Sequence, residues 1–355
     1  MLKEQSIINS FIEMERKKMS KISVLGAGTW GTALSIVLAK NGHNVMLWSA
    51  LKEEIELLKT HREQIEKLPG SILPDNIELV EDLEVACKGQ DLIVFAVASS
   101  FVRSTAKRAA SFIPEKQLIV NVAKGIEEST LDTMCDILKE ELPKRDIAVL
   151  SGPSHAEEVS KGIPTTVVVG TKKQKNAEII QTIFMNEFFR VYTSPDVIGI
   201  ELGGSLKNVI ALAAGVVDGL GYGDNTKAAL MTRGIAEMTR LGLAMGGKAE
   251  TFSGLSGVGD LIVTCTSTHS RNWNAGYLIG KGRTMKQAME EVKQVVEGVY
   301  SAKAAYKLAQ KYQVSMPIVE QVTKVLFENK SAKDALGDLF TRDKRQENSL
   351  LEWEE

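Results

Sequence analysis

The first half of the chain alternates short apolar runs with helical patterns. The apolar runs are nearly continuous instead of alternating with polar residues, and amphipathic or alanine-rich segments separate them. Parallel strands that helices cover on both faces have this texture. We therefore predict a doubly wound parallel α/β sheet with right-handed crossovers, whose strands are KISVL, NVMLW, DLIVFAV, LIVNV, IAVL, TTVVV and FRVYT.

The pattern changes after Pro195. Segments 196–219 and 226–245 are rich in Ala, Leu, Met and Gly, carry helical periodicity and contain few β-branched clusters. The prediction is an α/β protein in which a Rossmann-like parallel sheet domain, residues 21–195, precedes an all-helical substrate domain, residues 196–340. Residues 1–20 are predicted to form an N-terminal extension and residues 341–355 a charged, solvated tail. The active cleft is expected between the two domains.

Composition excludes several classes of function. The formal charge is −2, from 43 basic and 45 acidic side chains spread along the 355 residues, so no broad positive field for nucleic acid or an anionic membrane is expected. Apolar stretch 209–217 is shorter than the roughly 20 residues of a membrane span. The three cysteines lack the spacing of a disulfide framework or a zinc site, which favours a reducing cytoplasm and predicts no metal.

The segment before the first strand does not read as a targeting signal. It contains acidic residues, no long apolar run and no small-residue cleavage site. Met19 directly precedes the first strand, so one hypothesis is that translation can start there and that residues 1–18 are dispensable.

A glycine-rich turn follows the first predicted strand. Residues 26–31 read GAGTWG, and the helical TALSIVLAKNG comes next, which is the strand–turn–helix setting of a dinucleotide-binding fingerprint. Gly26 allows the tight turn, Gly28 the approach of the backbone to a pyrophosphate, and Gly31 close packing of helix on strand. The turn predicts NAD or NADP as cofactor.

The end of the second strand leaves the choice between NAD and NADP open. That position selects the ribose hydroxyl or the 2′-phosphate in such folds, and here it reads Trp48-Ser49-Ala50. Ser49 is a candidate cofactor contact, but no Asp, Glu or Arg stands beside it, and Lys52 is the nearest cation.

Lys207 lies in the apolar, small-residue segment GGSLKNVIAL. Desolvation would lower the pKa of such a lysine towards neutrality and suit it to general acid–base chemistry. The alternative is a lysine whose stem is half buried and whose ammonium reaches solvent.

Two further segments supply polar groups. Asp260 stands among small and apolar residues in GVGDL, where it either pairs with Lys207 or caps a helix. Ser270, Arg271 and Asn272 precede the helical WNAGYLIG and could bind a phosphate monoester through a guanidinium and a helix N-terminus. Plain capping by Ser270 is the alternative for that segment.

Two loops follow predicted strands at the sheet edge where open α/β proteins bind ligands. NVAKG places Lys124 there as a candidate to polarise a carbonyl, against the alternative of a solvated loop lysine. SGPSHA adds His155, which titrates near neutrality but has no obvious carboxylate partner in the sequence.

Six separated motifs together resemble the bacterial-type NAD(P)-dependent glycerol-3-phosphate dehydrogenases, over residues 21–340. The motifs are GAGTWGTAL at 26–34, NVAKG at 121–125, SGPSHAEEV at 151–159, GGSLKNVIALAAG at 203–215, GVGDLIVTCTS with SRN at 257–272, and VVEG at 295–298. The resemblance implies reduction of dihydroxyacetone phosphate to sn-glycerol 3-phosphate for glycerophospholipid synthesis, and a homodimer joined through helical surfaces.

The same resemblance implies roles for individual residues. Lys207 matches the proton acceptor of that family, and Lys124 and Asp260 complete the implied catalytic set. The implied substrate contacts are Lys124, Gly152, Ser154, Lys207, Asn208, Asp260, Thr264, Ser270, Arg271 and Asn272. Besides the glycines and Ser49, the implied cofactor contacts are Thr29, Trp30, Lys124, Ala156, Arg271, Val295 and Glu297.

This chain departs from the family pattern at two places. Family members often carry an Arg where this chain has Ser49-Ala50, and His155 replaces a more usual Phe. Two other functions stay open at this point: a related dehydrogenase of a β-hydroxyacid or a ketopantoate-like substrate, and a non-catalytic NAD(P) sensor.

Overall fold

The computed structural model describes residues 19–344, 346–347 and 353–354. The hypothesis about residues 1–18 therefore lies outside the described residues, as does much of the predicted tail. The last strand ends at Ser194 and the next helix begins at Val197, so sheet and helical elements occupy separate stretches of the chain.

Eight strands of the described residues form one sheet in the order β3-β2-β1-β4-β5-β6-β7-β8. The strands are β1 (Lys21–Leu25), β2 (Asn44–Trp48), β3 (Ile77–Val80), β4 (Leu92–Phe95), β5 (Leu118–Asn121), β6 (Asp146–Ser151), β7 (Thr165–Gly170) and β8 (Phe189–Ser194). The order reverses beside β1, as in a doubly wound fold. The predicted fold class is confirmed.

Two details of the sheet differ from the prediction. The short edge strand β3 was missed, because its four residues include the exposed Glu78 and give too weak an apolar signal. β6 and β7 run antiparallel, whereas the sequence predicted a parallel sheet throughout. The chain between them holds a helix of only four residues, which is too short to carry the strand back in parallel.

Helices cover both faces of the sheet. They are α1 (Thr29–Lys40), α2 (Lys52–His61), α3 (Leu83–Cys87), α4 (Val102–Ala109), α5 (Met134–Glu141), α6 (Ala156–Val159) and α7 (Gln174–Phe184). Two apolar clusters result, one on each face. All four residues of β4 are buried, which explains why the strands read as unbroken apolar runs.

The second half of the chain is helical, as predicted. Its helices are α8 (Val197–Gly219), α9 (Asp224–Ala244), α10 (Ala249–Phe252), α11 (Asp260–Thr266), α12 (Arg271–Gly280), α13 (Met285–Val292), α14 (Glu297–Lys311), α15 (Pro317–Phe327) and α16 (Ala332–Phe340). A π-helical turn, Leu255–Gly259, leads into α11. A third apolar cluster forms around α8.

α8 is apolar on all sides. It is the one helix of the described residues long and apolar enough to cross a membrane, and 94% of its most apolar window is buried inside the protein. A helix that is hydrophobic all round and enclosed in this way is the central helix of a core. Its composition is thus explained by packing against the helices around it.

Glycines bring α8 and α12 into backbone contact. A Cβ on Gly215 would lie 2.0 Å from the carbonyl oxygen of Trp273, and one on Gly276 would lie 2.0 Å from that of Leu212. Gly219 and Gly280 are equally confined by the opposite backbone. Close approach of two helices requires residues without side chains at the crossing, so this crossing fixes the positions of Lys207 on α8 and Arg271 on α12.

We predict that Gly276→Ala lowers the free energy of unfolding by about 3 kcal/mol, because the new methyl group meets backbone that cannot rotate away. Gly337→Ala is the matched control, since it also lies within a helix but a Cβ there meets nothing within 4 Å. The control should be about 0.5–1 kcal/mol more stable than the parent. Urea unfolding of both variants measures the difference, and equal stability would refute the role of the crossing.

Candidate active site

A cleft of about 640 Å³ opens between the sheet half and the helical half. Its walls include the glycine-rich turn after β1, the loops after β4, β5 and β6, and residues of α8, α11, α12 and α14. The carboxyl ends of the parallel strands therefore face the helical half of the molecule across the cleft. Ligands of open α/β sheets bind at this end of the strands.

The three glycines of the turn have different surroundings. Gly26 has a φ of +124°, which only glycine adopts readily, and a Cβ on Gly31 would lie 1.9 Å from the carbonyl oxygen of Gly26. A Cβ on Gly28 meets nothing within 4 Å, and Gly28 borders the cleft at the start of α1. The turn thus leaves open space beside amide donors at a helix N-terminus, which fits a dinucleotide pyrophosphate.

Ser49 is engaged within the protein. Its hydroxyl donates to Glu54 Oε2 at 2.6 Å and accepts from the amide of Leu51, and it does not line the cleft. Glu54 lies in α2, and its other oxygen accepts from Lys67 Nζ at 2.5 Å. A carboxylate and a cleft-lining lysine, Glu54 and Lys67, therefore stand near the end of β2, where the sequence had indicated only the cation of Lys52.

Asp260 forms ion pairs with two lysines that come from the two halves of the molecule. Lys207 Nζ on α8 lies 2.7 Å from Asp260 Oδ1, and Lys124 Nζ, in the loop after β5, lies 2.6 Å from Asp260 Oδ2. The side chain of Asp260 is 1% exposed and that of Lys207 is 8% exposed. The Lys207 ammonium therefore does not extend to the outer surface of the protein but lies at the cleft wall. Asp260 is not a helix cap, because Gly259 occupies that position.

Burial and charge shift both groups. The pKa of Lys207 is lowered from 10.5 to about 8, mainly by burial; Asp260 opposes the shift and Lys124 adds to it. Burial would raise the pKa of Asp260, but the two lysines outweigh it and the pKa is lowered overall. Lys207 can therefore exchange a proton close to neutral pH beside a carboxylate that stays ionised.

Hydrogen bonds hold each lysine in one place. Lys207 Nζ donates to Thr264 Oγ1 at 2.7 Å, and that hydroxyl donates to the Asp260 carbonyl oxygen at 2.6 Å. Lys124 Nζ donates to the Gly152 carbonyl oxygen at 3.0 Å. An ammonium has three donors, so each lysine keeps one N–H bond for a ligand in the cleft.

Two asparagines connect α8, α12 and α14 beneath the cleft. Asn272 Nδ2 donates to Asn208 Oδ1 at 2.9 Å, and Asn272 Oδ1 accepts from the amide of Gly298 at 2.8 Å. Asn208 Nδ2 lies 3.5 Å from Glu297 Oε2. Burial raises the pKa of Glu297 against the opposing effect of Arg271. The side chain of Asn272 thus positions helices.

The start of α12 presents donors to the cleft. Ser270 caps the helix by accepting from the amide of Trp273. The capping alternative is therefore correct for Ser270. The first amides of a helix have no partner within the helix. Arg271 and Asn272 occupy this end and line the cleft, which adds a guanidinium to the dipole and amides of an anion-binding terminus.

The loop after β6 supplies the opposite wall. Gly152 has a φ of +133°, and its carbonyl oxygen accepts from both Lys124 and the Ser154 hydroxyl. His155 and Ala156 follow, and both line the cleft. Burial lowers the pKa of His155, and so does the charge of Lys207.

Most of the residues singled out in the sequence lie on this one cleft. Its walls include Gly28, Thr29, Trp30, Lys124, Ser154, Ala156, Lys207, Asn208, Thr264, Ser270, Arg271, Asn272, Val295 and Glu297. Gly26 and Gly31 shape the turn, and Gly152 and Asp260 act from beneath on the lysines. Of the site residues predicted from the sequence, Ser49 neither lines the cleft nor contacts a group that does so directly, because its hydroxyl donates to Glu54.

Several cleft residues were not predicted from the sequence. Ala96, Val97 and Ala98 line the cleft; the first two were predicted as part of the strand DLIVFAV, which ends at Phe95 in the structure, and Ala98 was not singled out. Their small side chains at the carboxyl end of a strand were the available signal. Lys67, Met289, Lys293, Gln294 and Tyr300 also line the cleft, and nothing in their local sequence marks them.

Two family models cover most of the chain. The model described as NAD-dependent glycerol-3-phosphate dehydrogenase N-terminus matches residues 21–177, and the corresponding C-terminus model matches residues 196–337. The two matches adjoin the cleft from either side.

Whole proteins from several bacteria are similar to this chain. Glycerol-3-phosphate dehydrogenase [NAD(P)+] of Agathobacter rectalis is 62% identical over 335 residues, which is 94% of this chain and 100% of the relative. The enzyme of the same name from Fusobacterium nucleatum is 57% identical over 93% of this chain and 99% of the relative. The crystal structure of glycerol-3-phosphate dehydrogenase from Coxiella burnetii superimposes with a TM-score of 0.89, at 36% identity, over 91% of this chain and 99% of that one.

We predict that Gly28→Ala weakens binding of the dinucleotide roughly tenfold or more without lowering stability, because its methyl group enters only the open side of the turn. Gly31→Ala is the contrasting variant and should lower the melting temperature, since its methyl group meets the Gly26 carbonyl. Titration of NADH by fluorescence and thermal unfolding measure the two effects. Unchanged NADH affinity in Gly28→Ala would place the pyrophosphate elsewhere.

Proposed function

Because this chain belongs to the NAD-dependent glycerol-3-phosphate dehydrogenase family, we propose that it interconverts sn-glycerol 3-phosphate and dihydroxyacetone phosphate. The proposal rests on the Lys124–Asp260–Lys207 cluster, which shares one cleft with the glycine-rich turn and the Arg271 end of α12. The turn fits NAD or NADP, the lysines fit a reacting oxygen, and the α12 end fits a phosphate monoester.

When bound, the nicotinamide supplies or accepts the hydride. Lys207 donates a proton to the oxygen of the reacting carbonyl during reduction and accepts one from the hydroxyl during oxidation. Lys124 stabilises the negative charge that develops on that oxygen. Asp260 keeps the two ammoniums together and does not itself change protonation state, because the lysines lower its pKa.

Arg271 and the amides at the start of α12 bind the phosphoryl group. Binding energy at this remote group positions the reacting carbon, so it contributes to the transition state as well as to affinity. Ser154, on the facing loop, and Thr264, against Lys207, complete the polar surround.

The cellular setting belongs to the same proposal. We expect the enzyme in the cytoplasm, as a homodimer joined through helical surfaces, with its product used for glycerophospholipid synthesis. Support for the phosphorylated substrate over a hydroxyacid or a ketopantoate-like one comes from the family to which the chain belongs, since the guanidinium at the α12 end suits a carboxylate as well as a phosphoryl group. The two lysines ion-paired with Asp260 argue against a sensor without catalysis.

We predict that reduction of dihydroxyacetone phosphate loses rate as pH rises through about 8, because Lys207 must be protonated to donate and its pKa is about 8. The oxidation of glycerol 3-phosphate should gain rate over the same range. Asp260→Asn should move both limbs to lower pH, since the carboxylate raises the Lys207 pKa. Profiles of kcat/KM from pH 6 to 10 measure this, with Lys207→Met as the inactive control. A parent profile flat across pH 8 would remove Lys207 as the proton donor.

We predict that the parent oxidises NADH or NADPH with dihydroxyacetone phosphate and very slowly with unphosphorylated dihydroxyacetone. Arg271→Ala should lower kcat/KM for the phosphorylated substrate roughly 100-fold or more, while Arg271→Lys should lose less because one cation remains. Rates with the unphosphorylated compound should hardly change in either variant. Equal rates with both compounds in the parent would contradict the proposed substrate and favour another dehydrogenase.

A further inference from the structure

Two histidines face each other across the cleft, one from each half of the molecule. The ring centroids of His155 and His269 lie 5.9 Å apart with their planes inclined by 57°, and both residues line the cleft. His155 follows β6 directly before α6, whereas His269 stands directly before Ser270, the cap of α12. The reaction as described gives neither histidine a role.

The pair lies next to the phosphate end of the cleft. Ser270 Oγ accepts a hydrogen bond from the amide of Trp273. The backbone amides of Arg271 and Asn272 have no hydrogen-bond partner among the described residues. These amides and the Arg271 guanidinium can bind one side of a phosphoryl group. The remaining phosphoryl oxygens then face the opposite wall, where the loop after β6 carries His155.

Charged groups on several elements surround the pair. Lys207 on α8 lowers the pKa of His155, whereas Glu157 and Glu158 on α6 raise it. The same cleft is lined by further charged groups, Lys67, Lys124, Arg271, Lys293 and Glu297, and Asp260 is occupied by Lys124 and Lys207. Burial and the charge of Lys207 lower the pKa of His155 from 6.5, so its imidazole is mostly neutral at pH 7 while the cleft holds no anion. A phosphate dianion reverses the sign of the charge that His155 experiences most closely.

We propose that the His155–His269 pair contacts the phosphoryl group of the triose substrate, and that the pair takes up one proton from solvent when the dianion binds. The inference rests on the proposed function, because it assumes a phosphorylated triose in this cleft. The step is a proton transfer, in which an N–H bond forms on a neutral imidazole and the bond from that proton to a buffer acid or hydronium ion breaks. Nε2 of His155 lies 3.4 Å from the Val263 carbonyl oxygen, so on His155 the proton goes to Nδ1, which donates it in a hydrogen bond to a phosphoryl oxygen. Two imidazolium ions at this separation would repel each other, so a single proton serves the pair.

Calorimetry tests the proton uptake directly. Glycerol 3-phosphate is titrated into the enzyme at pH 7, in two buffers that differ in ionisation enthalpy. The enzyme is first saturated with NADH, which cannot accept a hydride from the ligand. At pH 7 Lys207 is already protonated, because its pKa is about 8, so the parent should take up more than half a proton per site at the histidine pair. His155→Gln and His269→Gln should each remove at least half of that uptake. His61→Gln is the matched control, because His61 is exposed at the end of α2 and should leave the uptake unchanged.

Kinetics separates a substrate contact from a structural effect. His155→Gln should raise KM for dihydroxyacetone phosphate roughly tenfold, with kcat and the KM for NADH nearly unchanged. His155→Lys should keep a low KM but lose the proton uptake, because a lysine there already carries its charge at pH 7. Parental proton uptake in both glutamine variants would overturn the inference, and so would a rise in KM for NADH in place of the triose.

Failure of the inference and failure of the proposed function give different results. If the parent neither binds glycerol 3-phosphate nor reduces dihydroxyacetone phosphate, the proposed function fails and the inference with it. If the parent does both and the histidine variants match it in uptake and KM, only the inference is overturned.

Discussion

One buried carboxylate determines how this molecule is arranged around its cleft. Asp260 is enclosed, and each of its oxygens accepts from a different lysine, one carried by the sheet half and one by the helical half. A buried carboxylate with a missing partner costs several kcal/mol, so neither lysine can move far without penalty. The ion cluster therefore fixes the position of the sheet half relative to the helical half at the proposed reaction site.

Two kinds of close packing deliver the groups that meet there. Glycines at the crossing of α8 with α12 allow backbone contact, which sets Lys207 and Arg271 on one wall of the cleft. On the sheet side, Gly26 and Gly31 let α1 begin directly against the end of β1. Both arrangements use rigid elements instead of loops to hold functional groups, which limits the positional error that catalysis tolerates poorly.

The sequence predicted the fold class and most of the cleft because those features depend on local pattern. Continuous apolar runs specify parallel strands, and Lys207 stood out because an ammonium in an apolar segment needs a partner. β3 was missed since four residues with a charge among them carry little signal, and the antiparallel β7 depends on a connection whose path the pattern does not encode. Tertiary packing, which local sequence spacing does not encode, explains the remaining differences. It brings the Ser49 hydroxyl to Glu54 and places Lys67 and Tyr300 on the cleft.

The balance of charge in the cleft explains why a phosphorylated ligand suits it. The cleft is lined by five cations and two carboxylates, which are Lys67, Lys124, Lys207, Arg271, Lys293, Glu157 and Glu297. A third carboxylate, Asp260, lies beneath the wall and is fully occupied by two of the lysines. The unbound cleft therefore carries excess positive charge in a partly dehydrated space, where electrostatic interactions are strong. A dianionic ligand neutralises that excess, whereas a neutral triose would leave the cations repelling one another. Binding of the phosphate therefore also stabilises the arrangement of the lysines.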